Sequence, residues 1–379
     1  MSGASLPDIV IFSLAMAILL GSCFMPSNRW TGKLVSIIAV LIGATLMVTG
    51  MLRLIPGDPV DNILGDQAPH EARLQLAQDL NLVDAAGNPL GFIAQYGQFI
   101  RQVSRNQLLS YRTREPVLTM IAQRLPYTIW LAFFAMLFAL TIGPVLGIAA
   151  AARRGSFFDA LLMFLALLGI SLPRFFLGPL LLLAFSIHWH IFPISGATDG
   201  IWSVILPAAS LGLAMAAMQA RMVRASILEV MSEDYIRVAR AKGLSENQVY
   251  FKHALRNALL PVITVVGLEL GGLLAGSVVT EKIFNWPGIG LLLLESIQRL
   301  DMPIVQGVVL TVAFAYVFIN FFLSRGTGTP AWTPQQLDCR KHASKTEWPN
   351  DMNWRTTQYM YATNIYPIPA GSCGSHADV

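Results

Sequence analysis

Long apolar runs separated by shorter polar stretches dominate the chain. An α-helix rises about 1.5 Å per residue, so about 20 apolar residues cross the roughly 30 Å hydrocarbon core of a bilayer. Seven runs approach or exceed that length, at residues 9–25, 34–54, 125–151, 157–189, 203–222, 261–281 and 303–324. The pattern therefore predicts an all-α, polytopic transmembrane helical bundle.

The run at 157–189 is longer than one crossing needs. Its roughly 33 residues would form a helix about 50 Å long, and Pro173 within it marks either a kink or a hairpin. Lys and Arg concentrate in cytoplasmic loops. A single kinked crossing places Arg153 and the basic cluster at 237–256 on one side, whereas a hairpin would separate them. The charges thus favour a single crossing with that side cytoplasmic, and with the 190–202 loop and the N-terminus outside.

Two polar regions interrupt the apolar pattern. Residues 55–120 carry the turn signals PGDP and AGNP around an amphipathic helical pattern near 70–82, which predicts a small external subdomain. After Arg325 the composition shifts to Thr, Pro, Asn and Gln without periodicity, which predicts a disordered cytoplasmic tail. The predicted regions are an extra N-terminal helix with a short cytoplasmic loop (1–33), a span (34–54), the external subdomain (55–120), a transmembrane core (121–324) and the tail (325–379).

Composition supports the membrane assignment and excludes other classes. The chain is 54% hydrophobic and 13% charged, against about 25% charged residues in soluble domains. Its formal charge of +4 fits basic cytoplasmic loops, so no nucleic-acid partner is expected. The three cysteines lack metal-binding spacing. His188 and His190 do not converge on a helix, so they and Trp189 predict an interfacial belt, and no metal site or cofactor is predicted.

The segment ARAKGLSENQVYFKHALRN at 239–257 places a dense charge cluster between two apolar runs. Upstream of it, Ser232 can cap a helix whose first turn is acidic. Gly243 predicts a left-handed stop. Ser245 and Gln248 form a capping-box pattern that starts a second helix. The block is therefore predicted to fold as helix, glycine turn, helix.

The two predicted helices of this block expose recognisable faces. Tyr235, Ala239 and Lys242 share a face of the first, and Lys252 and Arg256 lie one turn apart on the second. Small alanines allow another protein to approach the backbone closely, so the block resembles a docking knob with basic edges. The alternative is a loop that fixes topology through its positive charge alone.

Two further stretches are candidates for a transport path. Glu269 is the one acid deep in the sixth apolar run, where ionisable residues indicate function. It could line the pathway, titrate, or pair with a neighbouring helix. Gly271 and Gly272 belong to a small-residue pattern over 267–277 that predicts close helix packing, and the same face could line a pore.

The motif FNWPGIG at 284–290 has the composition of an external turn or half-helix. Trp286, Pro287 and Gly288 are therefore candidates for an external gate. The alternative is that they only anchor the chain at the membrane interface.

Enzyme motifs do not account for the chain. No GxxxxGK[ST] phosphate loop, HExxH or GxSxG motif occurs. We therefore expect a transport subunit, with any ATP chemistry supplied by a partner.

Several motifs in order carry a resemblance to a known family. They are RLIPGDPV (53–60), LGISLPRFFLG (168–178), PISG (193–196), the stretch from EDYIRVARAKGLSENQVYFKHALRN to EKIFNWPGIG (233–290) and DMPIVQG (301–307). Over residues 34–324 the chain resembles the permease subunit of an ATP-binding-cassette importer of the dipeptide, oligopeptide and nickel class. This implies a type I importer permease fold of six family spans, to which the 9–25 helix is an addition.

The resemblance also implies partners and a coupling loop at 229–260. Its implied partners are a second homologous permease, two cytoplasmic ATP-binding subunits, an external solute-binding protein and the lipid of the cell inner membrane. The implied coupling residues are Glu233, Asp234, Tyr235, Arg237, Ala239, Ala241, Gly243, Lys252, His253, Arg256 and Asn257. The chain departs from the general pattern at Arg237, where an acid is usual, and in 106–117, which lacks the expected glycines.

The expected function is therefore an importer permease for a small peptide or a related solute such as a nickel chelate. An ion-coupled secondary transporter or channel that uses Glu269 is an alternative from a different class. A third is a non-transporting scaffold whose folded loop binds a regulator.

Overall fold

The structure, a computed structural model, describes residues 30–54, 57–65, 67–84, 87–198 and 200–326. Its helices are α1 (Trp30–Leu54), α2 (Pro59–Leu64), α3 (His70–Asp79), α4 (Phe92–Ser104), α5 (Val117–Ala152), α6 (Phe157–Ser171), α7 (Arg174–Leu181), α8 (Ile201–Met231), α9 (Asp234–Ala241), α10 (Glu246–Gln248), α11 (Leu255–Gly276), α12 (Val278–Ile283), α13 (Ile289–Gln298) and α14 (Met302–Gly326). π-Helical stretches at Leu182–His188 and Val249–Ala254 continue α7 and α10. The predicted 9–25 helix and the tail after residue 326 lie outside the described residues.

The long helices match the all-α expectation. Among the described residues, α5, α8 and α14 are long and apolar enough to cross a membrane. The helix α1 coincides with the predicted run at 34–54, and the predicted run at 261–281 is divided at Ser277 into α11 and α12. The all-α membrane bundle is confirmed, while the total of seven crossings stays a prediction.

The segment at 157–189 is bent much more sharply than a kinked span. Helices α6 and α7, the latter with its π-helical continuation, meet at 110°. Pro173 occupies the N-cap of α7, and a proline there cannot continue the helix before it. The pair therefore forms either a broken span or a re-entrant segment, and the single kinked crossing stays a prediction.

Helices α5 and α8 pack backbone against backbone. A β-carbon built on Gly147 would lie 2.6 Å from the carbonyl oxygen of Ala220, and one on Gly143 would lie 2.8 Å from that of Ala216. Gly212 of α8 lies as close to the backbone of α5. Small residues four apart on each helix thus form the seam, as is usual where helices associate in lipid.

The predicted small-residue face at 267–277 packs less uniformly than this seam. Gly271 lies against the ring of Tyr316, and a β-carbon on this glycine would lie 3.0 Å from that ring. Gly272 is exposed, and nothing lies within 4 Å of the place where its side chain would be. The α11 surface at Gly272 therefore opens onto space that the described part of this chain does not fill.

The region at 55–120 forms helices α2 to α4. The predicted amphipathic helix corresponds to α3, and Val60, Ala77 and Leu80 are buried in a small core of their own. Phe99 and Leu108 are buried against α5, α13 and α14. This region is therefore tied to one end of the long helices through apolar packing.

The stretch 106–117 forms a closed turn without the expected glycines. An antiparallel bridge joins Leu109 to Pro116, and Arg114 takes the left-handed conformation at φ 58°. The Ser110 hydroxyl donates to the Asp301 carboxylate at 2.5 Å, and the Tyr111 backbone N–H donates to the same carboxylate at 3.1 Å. Burial, and then the negative charge of Asp301, raise the pKa of the Tyr111 phenol. Asp301 thus holds the turn from the start of α14.

Candidate coupling element and transport path

The block between α8 and α11 folds as helix, glycine turn, helix. Gly243 has φ 78°, in the left-handed region, and Ser245 and Gln248 form a complete capping box. The prediction that Ser232 caps the first helix was wrong. Ser232 ends α8, where its hydroxyl donates to the Glu229 carbonyl at 2.6 Å, and Glu233 occupies the N-cap of α9.

The block, which we call the coupling element (233–257), has a core of its own. Ile236, Ala239, Val249 and Ala254 are buried together in it. Ala239 therefore packs inside the element, and the predicted docking face containing Tyr235, Ala239 and Lys242 was wrong at its centre. The reason is geometric, since the helix after the glycine turn folds back onto that side of α9.

The coupling element exposes apolar side chains beside cations. Tyr235 is 41% exposed, Val238 52% and Phe251 58%. The other predicted coupling residues that are exposed are Glu233, Asp234, Arg237, Ala241, Gly243, Lys252, Arg256 and Asn257, while His253 is half-buried. Exposed apolar groups rimmed by charge mark interaction surfaces, so the exposed surface of the element has the character of a docking surface.

Polar contacts fix the shape of the coupling element. Arg240 donates to the Glu246 carboxylate at 2.9 and 3.2 Å across the glycine turn. The Asn257 amide donates to the Tyr235 hydroxyl at 2.9 Å, which joins the two helices. Because the ion pair is exposed, it contributes more to the geometry of the turn than to stability.

The coupling element is also attached to the helical bundle. The Tyr250 hydroxyl donates to the Ile148 carbonyl of α5 at 3.0 Å, and the Ser226 hydroxyl of α8 donates to the Ala258 carbonyl at 2.9 Å. Burial raises the pKa of the Tyr250 phenol. Beside these contacts a groove of about 540 Å³ opens between Arg154 and Arg240. The element is therefore bonded to α5 through Tyr250, and the residue that follows it, Ala258, is bonded to α8.

An ion pair with a buried carboxylate, which the sequence patterns missed, lies at the same end of the bundle. The Asp159 carboxylate accepts from Arg224 at 2.6 and 2.8 Å and from the Gly155 backbone N–H at 3.0 Å. Asp159 is buried near the start of α6, and Arg224 belongs to α8. The bidentate contact thus fastens α6 to α8. In the sequence, the one feature that pointed to this ion pair was an acid, Asp159, in the first turn of an apolar helix.

The candidate path residue Glu269 has a defined partner. Gln219 of α8, which is 0% exposed, donates its side-chain amide to the Glu269 carboxylate at 3.0 Å. Glu269 is half-buried, and Gly272 lies one turn further along α11. The structure therefore brings a carboxylate and a buried amide together near the open surface of α11. Gln219 did not stand out in the sequence because it is one polar residue in an otherwise ordinary span.

The candidate gate residues pack against protein. Trp286 is 3% exposed, its indole N–H donates to the Tyr127 carbonyl of α5 at 3.0 Å, and the two rings meet edge to face at 6.0 Å. Pro287 is half-buried and Gly288 is buried. A tryptophan enclosed in this way holds a turn onto a helix and is not an interfacial anchor.

Comparison with known proteins agrees with this geometry. Residues 143–327 match the family described as binding-protein-dependent transport system inner membrane component. The dipeptide transport system permease protein DppB of Alkalihalophilus pseudofirmus is 40% identical over 319 residues, which cover 77% of this chain and 94% of that protein. The chain belongs to this permease family. It is thus a multi-pass inner-membrane subunit of a transport complex.

Two other relatives support the same assignment. The protein DppB of Escherichia coli K12 is 39% identical over 319 residues, covering 76% of this chain and 92% of that protein. The glutathione transport system permease protein GsiC of Salmonella paratyphi A is 41% identical over 289 residues, with the same coverage of 76% and 92%. Relatives named for two different solutes therefore support the same inner-membrane permease family.

Proposed function

We propose that this permease forms part of the transmembrane pathway of an ATP-driven importer for a small peptide. The relatives named for dipeptide and glutathione transport support a peptide substrate. The observation that carries the mechanism is the coupling element, because it is a folded unit with its own core and an exposed apolar side. A loop that served topology alone would not need such a core.

In this proposal the coupling element lies in the cytoplasm and docks on an ATP-binding subunit. Its exposed apolar residues Tyr235, Val238 and Phe251 enter the partner, and Lys252 and Arg256 lie at the rim. Because Tyr250 bonds to α5 and Ser226 bonds to the first turn of α11, a shift of the element moves these helices together. Hydrolysis takes place on the partner subunits.

The pathway forms where this chain meets a second, related permease. The open surface of α11 at Gly272 supports that placement, since a companion chain would cover it. The Glu269 carboxylate, held by Gln219, lies near this surface and would meet the ammonium group of a peptide. Trp286, Pro287 and Gly288 form the gate at the external end, where a solute-binding protein delivers the substrate.

Reconstitution of the whole complex tests this function. The permease, its companion permease, the ATP-binding subunits and the binding protein are placed in vesicles, and uptake of radiolabelled dialanine and of radiolabelled glutathione is measured. We expect uptake of at least one probe that requires ATP. Uptake driven by an ion gradient without ATP would overturn the proposal in favour of a secondary transporter that uses Glu269.

Variants at the glycine turn test the coupling role. Valine at Gly243 is strained at a positive φ by about 1–3 kcal/mol, whereas asparagine adopts this conformation readily. Nothing lies within 4 Å of a β-carbon there, so Gly243→Val and Gly243→Asn differ chiefly in strain. We expect Gly243→Val to lower uptake at least tenfold, with the complex still assembled, and Gly243→Asn to retain most of it. Equal uptake by both variants would contradict the coupling assignment.

A further inference from the structure

A carboxylate that the function described above does not use lies beneath the gate. Glu281 is 0% exposed and belongs to α12. One of its oxygens accepts from the hydroxyls of Thr128 and Ser277, each at 2.9 Å. The other accepts from the Leu291 backbone N–H at 2.8 Å. Three donors from three parts of the chain therefore converge on this one side chain.

These contacts supply the N-terminal cap of α13. The first N–H groups of a helix have no partner within the helix and form its positive end. The Ile289 N–H donates to the Thr128 hydroxyl at 2.9 Å, and the Leu291 N–H donates to Glu281. The N-cap residue itself is Gly288, which has no side chain to cap with. Glu281 and Thr128 do so in its place.

The same geometry explains two glycines of the FNWPGIG motif. A β-carbon on Gly288 would overlap with the carboxyl carbon and both oxygens of Glu281. One on Gly290 would lie 2.9 Å from a carboxylate oxygen and 2.8 Å from the α-carbon of Val278. Gly288 has φ −90° and ψ −179°, which any residue adopts. Its lack of a side chain is thus required by Glu281 and not by the backbone conformation.

The turn between Glu281 and α13 contains Trp286. Its backbone N–H donates to the Glu281 carbonyl at 2.8 Å, and its indole N–H donates to the Tyr127 carbonyl. Tyr127 and Thr128 are neighbours on α5. The turn is therefore fixed to α5 at two adjacent points, one through the tryptophan and one through the carboxylate.

We propose that Glu281 is a positioning residue of the importer. Its carboxylate caps α13 and, with Thr128, clamps the 284–288 turn to α5, so that the external gate moves as one body with α5. This inference rests on the proposed gate role of that turn. It is tested only with a wild-type complex that shows ATP-dependent uptake, because a wild type without such uptake would contradict the proposed function instead.

The variants are Glu281→Ala, Gly288→Ala and the two combined, in the reconstituted complex. The readouts are the amount of assembled complex, ATP hydrolysis, and uptake per ATP hydrolysed of dialanine, or of glutathione if that is the probe the wild type takes up. We expect each single variant to lower uptake per ATP at least fivefold in assembled complexes. The double variant should be no worse than Glu281→Ala, since removing the carboxylate makes room for the added methyl group. Glu295→Gln, which neutralises a half-buried acid of α13, is the control and should behave as wild type.

A purely structural role would reduce the amount of complex while uptake per ATP stayed constant, and that result would overturn the inference. Independent, multiplicative losses in the double variant would also overturn it, because the two residues would then not share one contact. If Glu281→Ala prevents assembly, Thr128→Val decides the question, since it removes only the hydroxyl through which the carboxylate and α13 reach α5. Uptake per ATP within twofold of wild type in both Thr128→Val and Gly288→Ala would refute the clamp.

Discussion

Replacing Gly147 by alanine tests the close seam between α5 and α8. The added β-carbon would lie 2.6 Å from the Ala220 carbonyl oxygen and 2.8 Å from the β-carbon of Val223. Neither atom can rotate away, because one belongs to the backbone and the other is attached directly to it. The two helices must therefore separate by several tenths of an ångström at the point where they pack most closely.

Two opposing effects set the size of the expected change. Alanine is favoured over glycine inside a helix by about 1 kcal/mol, and overpacking a filled interior costs about 1–3 kcal/mol. Because the obstacle at Gly147 is largely backbone, we expect the cost to lie at the upper end of that range. The net loss should be roughly 2 kcal/mol in the free energy of unfolding, about a 30-fold change in the equilibrium.

Denaturant titration of the purified chain in micelles, followed by far-ultraviolet circular dichroism, measures this change. Gly97→Ala is the matched control, since Gly97 lies within α4 with nothing within 4 Å of its β-carbon position. That variant should gain up to about 1 kcal/mol from helix propensity alone. A Gly147→Ala chain as stable as the control variant would show that α5 and α8 do not pack this closely.

Three further outcomes follow from individual contacts. Asp159→Asn leaves the half-buried Arg224 without its carboxylate, and should cost about 1–3 kcal/mol in the same titration. The exchanged pair Asp159→Arg with Arg224→Asp should recover part of that loss, and no recovery would contradict a role for the charges. Asp301→Ala frees the donors of the external turn at 106–117, so trypsin should cut that turn several-fold faster than in the wild type. An unchanged cutting rate would show that Asp301 does not hold this turn. Gln219→Leu removes the amide that donates to Glu269, and should lower uptake several-fold while ATP hydrolysis persists. Equal uptake would show that transport does not need this hydrogen bond.

Features encoded by neighbouring residues could be predicted from the sequence. The left-handed turn at Gly243 and the capping box at Ser245 depend on residues only a few positions apart, and both are present. The amphipathic pattern near 70–82 likewise became a helix. The prediction that Ser232 caps α9 failed because its hydroxyl can form either of two local hydrogen bonds. It donates back to the Glu229 carbonyl of α8 instead of capping α9.

Features formed between distant segments could not be predicted. Glu281 is 153 positions from Thr128, and nothing local indicates that an acid beside a span will cap a later helix. The sequence pattern placed Ala239 on the docking face. In the structure the second helix folds back over Ala239, and this tertiary contact has no signal in the local sequence. The pattern of small residues was visible at 267–277, yet the close backbone seam between α5 and α8 lies at 143–147, because the pattern does not identify which partner helix is near.

The contacts at the two ends of α5 and α8 restrict how the protein can move. Their glycine seam leaves no room for sliding, since backbone atoms of one helix lie against those of the other. At the coupling end, the Asp159–Arg224 pair fastens α6 to α8. At the opposite end, hydrogen bonds donated by the Trp286 indole and the Ile289 backbone to Tyr127 and Thr128 fasten the gate turn to α5. A displacement of the coupling element should therefore carry α5, α8 and the gate together as a rigid unit. The relative motion that opens a path must then occur against another surface, and the uncovered side of α11 at Gly272, where a companion permease is proposed to pack, is the surface best placed to allow it.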